Sequence, residues 1–376
     1  MRMKAAVMYK QREPLVIEEI ELDPPKAGEL MIKLVATGVC HSDVHYYTGD
    51  VMRDPPLILG HEGAGIVEQV GEGVTSVAKG DHVVLTFLPS CGKCRWCHTG
   101  HPTLCDLGAK LRTGKYLDDT YRHHRASDGL DINSFLFVST YGEYTIAPEA
   151  SVLKVPDYLP LERLCLLGCG FTTGFGAATN AAHIKPGETV MIVGCGGLGL
   201  SAVQGAALSG AGKIIAVDVH EEKLSMAKKF GATHTLQNRR DWQEVVKEVH
   251  EITWGVGVDY SFEFVGFDQT DETVKICYEG TRKGGTVFMV GVGKAAKKTL
   301  PIGPTNFSLW RKKLQGVLFG DAHFRADIPR YIELYQQGRI KLDELVTQEF
   351  RLEDINTCFA NILAGDKVAR QVIRYD

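Results

Sequence analysis

The chain has 376 residues, with 42 Lys and Arg against 46 Asp and Glu, a formal net charge of −4. That balance leaves no basic field to hold a polyanion, so no nucleic-acid partner is expected. Hydrophobic residues at 44% and charged residues at 23% exclude a disordered chain, and the length suits two or three domains.

The N-terminal stretch MRMKAAVMYKQREP holds a five-residue apolar run, too short for a secretory signal. Residues 164–184 and 189–212 lack Asp, Glu, Lys and Arg over the length of a membrane span. Both are dense in Gly, Ser, Thr and Asn, and buried αβ segments explain them better, so no membrane partner is expected. A cytoplasmic location follows, where thiols stay reduced. The ten cysteines then point to metal rather than to disulfides.

In chain order, residues 1–150 read as β-rich. Runs at 30–35, 65–70 and 82–87 alternate or carry β-branched residues, punctuated by Pro24-Pro25, Gly71, Gly73 and Gly80-Asp81. A partly open barrel or sandwich is expected. Residues 91–137 hold four cysteines and then a polar stretch, 112–131, expected to be a surface excursion and not a core element. After about residue 170 the rhythm changes. Runs with β character at 189–193, 213–218, 234–236, 258–264 and 286–291 alternate with helical patterns at 197–208, 221–230, 242–253 and 271–282. That spacing predicts an α/β, doubly wound parallel sheet. From about 319 the pattern is mixed again, with a helix over 328–337 that ends at Gly338 and a last β run at 371–374.

Within TVMIVGCGGLGLSAVQGA, Gly194, Gly196 and Gly199 have G-x-G-x-x-G spacing, with Gly197 and Leu198 between them. The motif follows a β run, opens a helix, and precedes a second β run that ends in Asp218, nineteen residues after Gly199. This is the context of a dinucleotide site. Gly194 permits the tight turn, Gly196 lets backbone approach a pyrophosphate, and Gly199 lets helix and strand pack closely. Asp218 would accept the ribose hydroxyls and repel a 2′-phosphate, which favours NAD over NADP.

Cys91, Cys94, Cys97 and Cys105 follow C-x2-C-x2-C-x7-C. Four thiolates leave a zinc no open position, so the site reads as structural zinc. An iron–sulfur cluster also takes four cysteines, but nothing nearby points to electron transfer. A second group is dispersed: Cys40 in GVCHSDVH, His61 in LGHEGAG and Cys169 in LGCGFTTG. Sequence spacing alone does not join these three.

Taken in order, GVCHSDVH, GHEGAG, the four-cysteine lobe, GCGFTTG and GCGGLG resemble the zinc-dependent medium-chain alcohol dehydrogenases, essentially end to end. The resemblance implies a β-rich GroES-like catalytic domain, 1–170 and 319–376, with a zinc lobe at 88–110, interrupted by a Rossmann NAD-binding domain at 171–318. It implies two zinc ions per chain, with Cys40, His61 and Cys169 ligating a catalytic one. Asp43 would orient His61, and Glu62 would stand behind the metal. The implied reaction is oxidation of a primary alcohol to an aldehyde, or the reverse. A zinc-bound alkoxide gives hydride to NAD, and a Ser42–ribose–His45 relay carries the proton away.

Other positions carry over singly. Lys223 resembles the lysine near the adenosine ribose, Thr173 the residue packed behind the nicotinamide, and Arg370 the C-terminal arginine that contacts the pyrophosphate. His41 stands where many members have arginine. Phe87, Tyr141, Val292 and Leu318 would line a channel for a hydrophobic or aromatic alcohol. Phrases such as CDLGAKLRTGKYLDDTYRHHR and PRYIELYQQGRIKLDELVT are most similar to the actinobacterial nicotinoprotein-type enzymes, which keep NAD through turnover and use a second electron acceptor. The thiol-dependent formaldehyde dehydrogenases are a sister reading. Val51 and Ala109 stand where the glutathione-using branch carries an aspartate and an arginine. A non-enzymatic binding protein would be expected to lose ligands or relay, and all are present. The family implies a homo-oligomer, dimer or tetramer, joined near 299–310. Cys165, Cys195, Cys277 and Cys358 receive no role, although oxidation of Cys195, inside the glycine loop, would block NAD.

Overall fold

Alternation of aliphatic and polar residues sets the first strands. In Val16–Leu22, for example, Ile20 and Leu22 are buried and alternate with exposed Glu19 and Glu21. A computed structural model describes residues 1–238, 241–266, 271–293, 299–365 and 369–375. Five strands close a barrel in the order Arg2–Met8, Val16–Leu22, His123–Arg125, Asp131–Ser134, Leu57–Ile58. A second sheet runs Val152–Lys154, His82–Leu85, Glu62–Val70, Glu29–Val39, Arg370–Arg374, Val346–Phe350, and Tyr144–Pro148 also pairs with Glu29–Val39.

The expected parallel sheet is present. Its six strands lie in the order His234–Gln237, Lys213–Asp218, Thr189–Val193, Val258–Glu263, Thr281–Met289, Lys313–Gly316. In chain order this is 3-2-1-4-5-6, and the order reverses between Thr189–Val193 and Val258–Glu263. A crevice opens outside the carboxyl ends of strands at such a switch point, and ligands bind there. Mixed α/β architecture with a β-rich first part is therefore observed as expected.

Residues 112–131 correct the sequence reading. They are not a surface excursion: His123–Arg125 is a barrel strand, and Tyr116, Arg122 and His123 are buried. The polar sequence hides this because Arg122 is neutralised by Glu29, far away in the chain, together with nearby Asp118. Its Nε and Nη2 donate to the two Glu29 oxygens at 2.9 and 2.7 Å, Nη2 also donates to Asp118 at 3.0 Å, and the guanidinium lies over the Tyr116 ring. The helix expected at 328–337 starts earlier, spanning Phe324–Gln336, where Asp327 accepts from the His323 N–H at 2.8 Å.

The C-terminal strand positions the site. Gln371 pairs with Val39, and Gly38 pairs with Glu62. The ends of three segments distant in sequence thus lie side by side, just where Cys40 leaves its strand.

Candidate metal and coenzyme sites

Cys40 ends the strand Glu29–Val39 and begins the helix His41–Thr48. The Asp43 carboxylate, one turn into that helix, accepts the Cys40 N–H at 3.1 Å and the His61 Nδ1–H at 3.0 Å. With Nδ1 occupied, His61 offers Nε2 as its free donor. The His61 ring is also held edge-on by Phe87 and Phe135, with centroids 5.6 and 5.7 Å away. Cys169 precedes the helix Gly170–Gly176, whose approach needs glycines. A Cβ on Gly168 would lie 2.3 Å from the Leu85 carbonyl oxygen.

One ligand atom from each of Cys40, His61, Glu62 and Cys169 falls within 4.8 Å of the others, and all four residues are buried. Two thiols, an imidazole and a carboxylate are a donor set that suits zinc. Hydrogen bonding with Cys169 pulls the Cys40 thiol well below its ordinary range, and Cys169 is pushed up in turn, so Cys40 is the first to become thiolate. Glu62 is more than a carboxylate behind the cluster. Burial raises it to about 7 against the pull of Arg370. Its Oε1 accepts from the Gly170 N–H at 2.9 Å and from the Arg370 guanidinium, while buried Oε2 has no partner among the described residues.

Cys91, Cys94, Cys97 and Cys105 form a second cluster within the same 4.8 Å limit, only partly buried. The Cys94 and Cys105 sulfurs are 3.9 Å apart. Two sulfurs on one tetrahedral zinc at about 2.3 Å per bond stand about 3.8 Å apart, so the lobe fits the ion. Gly92 and Gly100 take left-handed turns within the lobe. Backbone N–H groups bring Cys94 down to about 6, and burial raises Cys105 to about 12.

Between the parallel sheet and the second sheet lies a cleft of about 560 Å³. Cys40, His41, Ser42 and His45 line it at one end, and Asp218, His220 and Lys223 at the other; Gly194, Gly196–Gly199, Val292 and Arg370 also line it. The glycines divide their work. Gly194 has φ +94°, and a Cβ on Gly199 would lie 1.9 Å from the Gly194 oxygen. A Cβ on Gly196 would meet no protein atom within 4 Å, so the open space it guards is the cleft itself. Asp218 accepts the Cys195 N–H at 2.7 Å and the His220 N–H at 2.9 Å, which fixes its carboxylate. Three cleft atoms, Asn238 Oδ1, Thr273 Oγ1 and Arg370 Nε, are buried without a partner among the described residues. This is a cradle that fits a dinucleotide. Asn238 and Thr273 escaped the sequence reading. The signal for Asn238 was its place just past the carboxyl end of His234–Gln237.

Desolvation within the cleft, and then His45 at 5.3 Å between ring centroids, lower His41, so it brings little positive charge to a pyrophosphate. His45 Nδ1 faces Asp50 Oδ2 at 3.4 Å, a partner the sequence reading missed. Thr173 packs against the buried cluster, with Oγ1 4.0 Å from Cys169 Sγ.

Val292 borders the cleft, Phe87 packs on His61 and Phe319, and Leu318 is 43% exposed. Tyr141 needs correction: it is fully buried, and its hydroxyl donates to Asp43 Oδ2 at 2.8 Å, so it lines no channel. Cys195 is likewise fully buried and its thiol is pushed far up by burial, which removes it as an oxidation point.

A switch-point crevice with a glycine cradle, facing a buried Cys–His–Cys cluster, defines a metal-assisted nucleotide-dependent dehydrogenase. Comparison with known proteins narrows this. Residues 26–157 match the alcohol dehydrogenase GroES-like domain and residues 197–337 match the zinc-binding dehydrogenase domain. The chain is 41% identical over 368 residues to an NDMA-dependent alcohol dehydrogenase of Amycolatopsis methanolica, covering 98% of each. It is 41% identical over 371 residues to an S-(hydroxymethyl)glutathione dehydrogenase of Aspergillus oryzae, covering 96% and 94%. The crystal structure of benzyl alcohol dehydrogenase from Acinetobacter calcoaceticus superimposes with a TM-score of 0.92 at 31% identity, covering both chains fully. The chain belongs to the zinc-dependent medium-chain alcohol dehydrogenase family, whose members are NAD-dependent alcohol oxidoreductases that use zinc. No helix among the described residues is long and apolar enough to cross a membrane.

Proposed function

We propose that the protein oxidises a hydrophobic or aromatic primary alcohol to its aldehyde, with Cys40, His61 and Cys169 holding a catalytic zinc and the lobe holding a second, structural one. The observation that carries this reading is the convergence of the three donors beside a cleft whose other wall is the glycine loop. When bound, zinc would supply a Lewis acid that acidifies the alcohol, and NAD would supply the hydride acceptor.

The chain's own residues do the rest. Asp43 fixes the tautomer and direction of His61. The Ser42 hydroxyl takes the alcohol proton, and His45, at the same end of the cleft, passes it to solvent. Asp218 and Lys223 hold the adenosine end, and the backbone of 194–199 with Arg370 holds the pyrophosphate. The catalytic part comprises 1–170 and 319–376, around a nucleotide part at 171–318. Apolar Phe87 beside His61, and likeness to a benzyl alcohol dehydrogenase, support the substrate class. Likeness to an NDMA-dependent enzyme supports a coenzyme retained through turnover and reoxidised by a second electron acceptor.

The test is to denature purified protein, measure zinc and NAD per chain, and assay benzyl alcohol with and without an added acceptor. Two zinc ions and one NAD per chain are expected, with turnover that needs the acceptor. Turnover on free NAD by protein that holds none would overturn retention. One zinc per chain would overturn the catalytic zinc. Strong preference for a formaldehyde–thiol adduct would replace the substrate class.

A further inference from the structure

We propose that Tyr141 is a positioning residue for the metal-binding imidazole of His61, acting through Asp43. The inference rests on the catalytic zinc proposed above. Asp43 is fully buried and accepts four hydrogen bonds. On Oδ1 these come from His61 Nδ1 and the Gly60 N–H, both at 3.0 Å. On Oδ2 they come from the Tyr141 hydroxyl at 2.8 Å and the Cys40 N–H at 3.1 Å. A carboxylate offers about four acceptor sites, so this one is saturated. Two of the donors are the backbone N–H groups of Cys40 and Gly60. Of the two side-chain donors one is His61 itself, so among the described residues Tyr141 is the one other side chain that donates to the carboxylate.

The phenol is itself anchored. The Tyr141 N–H donates to the Leu59 carbonyl at 3.1 Å, and its carbonyl accepts from the Ala6 N–H of the barrel at 2.9 Å. Gly60, at φ +91°, makes room for it: a Cβ there would lie 2.6 Å from Tyr141 Cδ1 and 2.8 Å from its nitrogen. The barrel therefore holds Tyr141, Tyr141 holds Asp43, and Asp43 holds His61. Removing the hydroxyl leaves Oδ2 with the Cys40 N–H alone, in a place without solvent, and the carboxylate gains freedom to turn away from His61.

Outer partners of metal-binding histidines change metal affinity by roughly tenfold or more when lost. The test uses the zinc-loaded full-length protein and its Tyr141→Phe variant, which loses only the hydroxyl. Phe359→Leu, which disturbs the ring packed 6.1 Å from Tyr141 without touching the hydrogen bond, is the packing control. Release of each zinc to a chromogenic chelator is timed, and the absorption of cobalt-substituted protein is recorded. Tyr141→Phe should lose one zinc roughly tenfold faster, leave the other unchanged, and shift the cobalt bands, while Phe359→Leu does none of these. Release of both zinc ions within about twofold of the parent, or equal acceleration of both, would overturn the proposal. A parent protein that holds zinc only in the lobe would overturn the catalytic-zinc reading itself, and this inference with it.

Discussion

The lobe cluster draws Cys91, Cys94, Cys97 and Cys105 from fifteen consecutive residues, and the chain leaves it partly open. The other cluster draws Cys40, His61 and Cys169 from 130 positions and buries them all. A short loop can wrap an ion with its own turns, so the lobe needs little from the remainder of the fold. The buried cluster needs three strand ends in register, a glycine at 168 and a carboxylate at 43. Local chemistry builds a closed site, whereas long-range packing builds one beside a cleft, where a substrate can reach it.

The largest expected effect separates the two clusters directly. Cys40→Ser should lower alcohol oxidation by about a thousandfold or more in steady-state assays, with NAD per chain unchanged. Retained activity would break the distinction between them. Cys94→Ser should remove one zinc per chain and make 91–111 the first site of limited proteolysis, with coenzyme content preserved. Early cleavage elsewhere would show that the lobe is not an independent unit.

The cleft beside the buried cluster is tested by Gly199→Ala. Its Cβ would lie 1.9 Å from the Gly194 oxygen, so strand and helix must part. A loss of roughly 1–3 kcal/mol in denaturant unfolding is expected, with weaker NAD retention. The last contrast is between two buried histidines. His61 has Asp43 beside it, whereas both ring nitrogens of His123 lack a partner among the described residues, and burial lowers it to about 3. The unfolded chain protonates His123 near 6.5 and the folded chain only near 3. The unfolded state thus binds more protons between these values. Stability is fully present above 6.5 and falls by up to about 1.4 kcal/mol per pH unit as pH drops through that window. Melts between pH 7 and 5 should show the slope, and His123→Phe should flatten it.

Features that rest on neighbours in the chain were readable. The glycine loop declared itself by spacing, the strand before it and Asp218 after it; the lobe declared itself by four close cysteines. Residues 112–131 were misread because Arg122 and His123 look like surface residues until Glu29, 93 positions away, closes on the guanidinium. The family resemblance implies a channel position for Tyr141, and no neighbour in the chain signals a polar partner for its hydroxyl. Only the packing of 59–61 against 140–141 turns its hydroxyl to Asp43. Asp50 and Asn238 were missed for a related reason, since a turn residue and a strand-end residue carry no motif of their own.

By itself, the sequence determined the α/β class, the nucleotide loop, the lobe and the family, because each depends on short spacings or on ordered motifs that survive in one dimension. The tertiary structure brings Cys40, His61, Glu62 and Cys169 together as the family resemblance implies, and it alone decided that Arg370 sits on Glu62 and that the Tyr141 hydroxyl meets the carboxylate behind the imidazole. Those contacts join residues 18 to 308 positions apart. Sheet register and close glycine packing bring such residues together, and no local pattern encodes their distance.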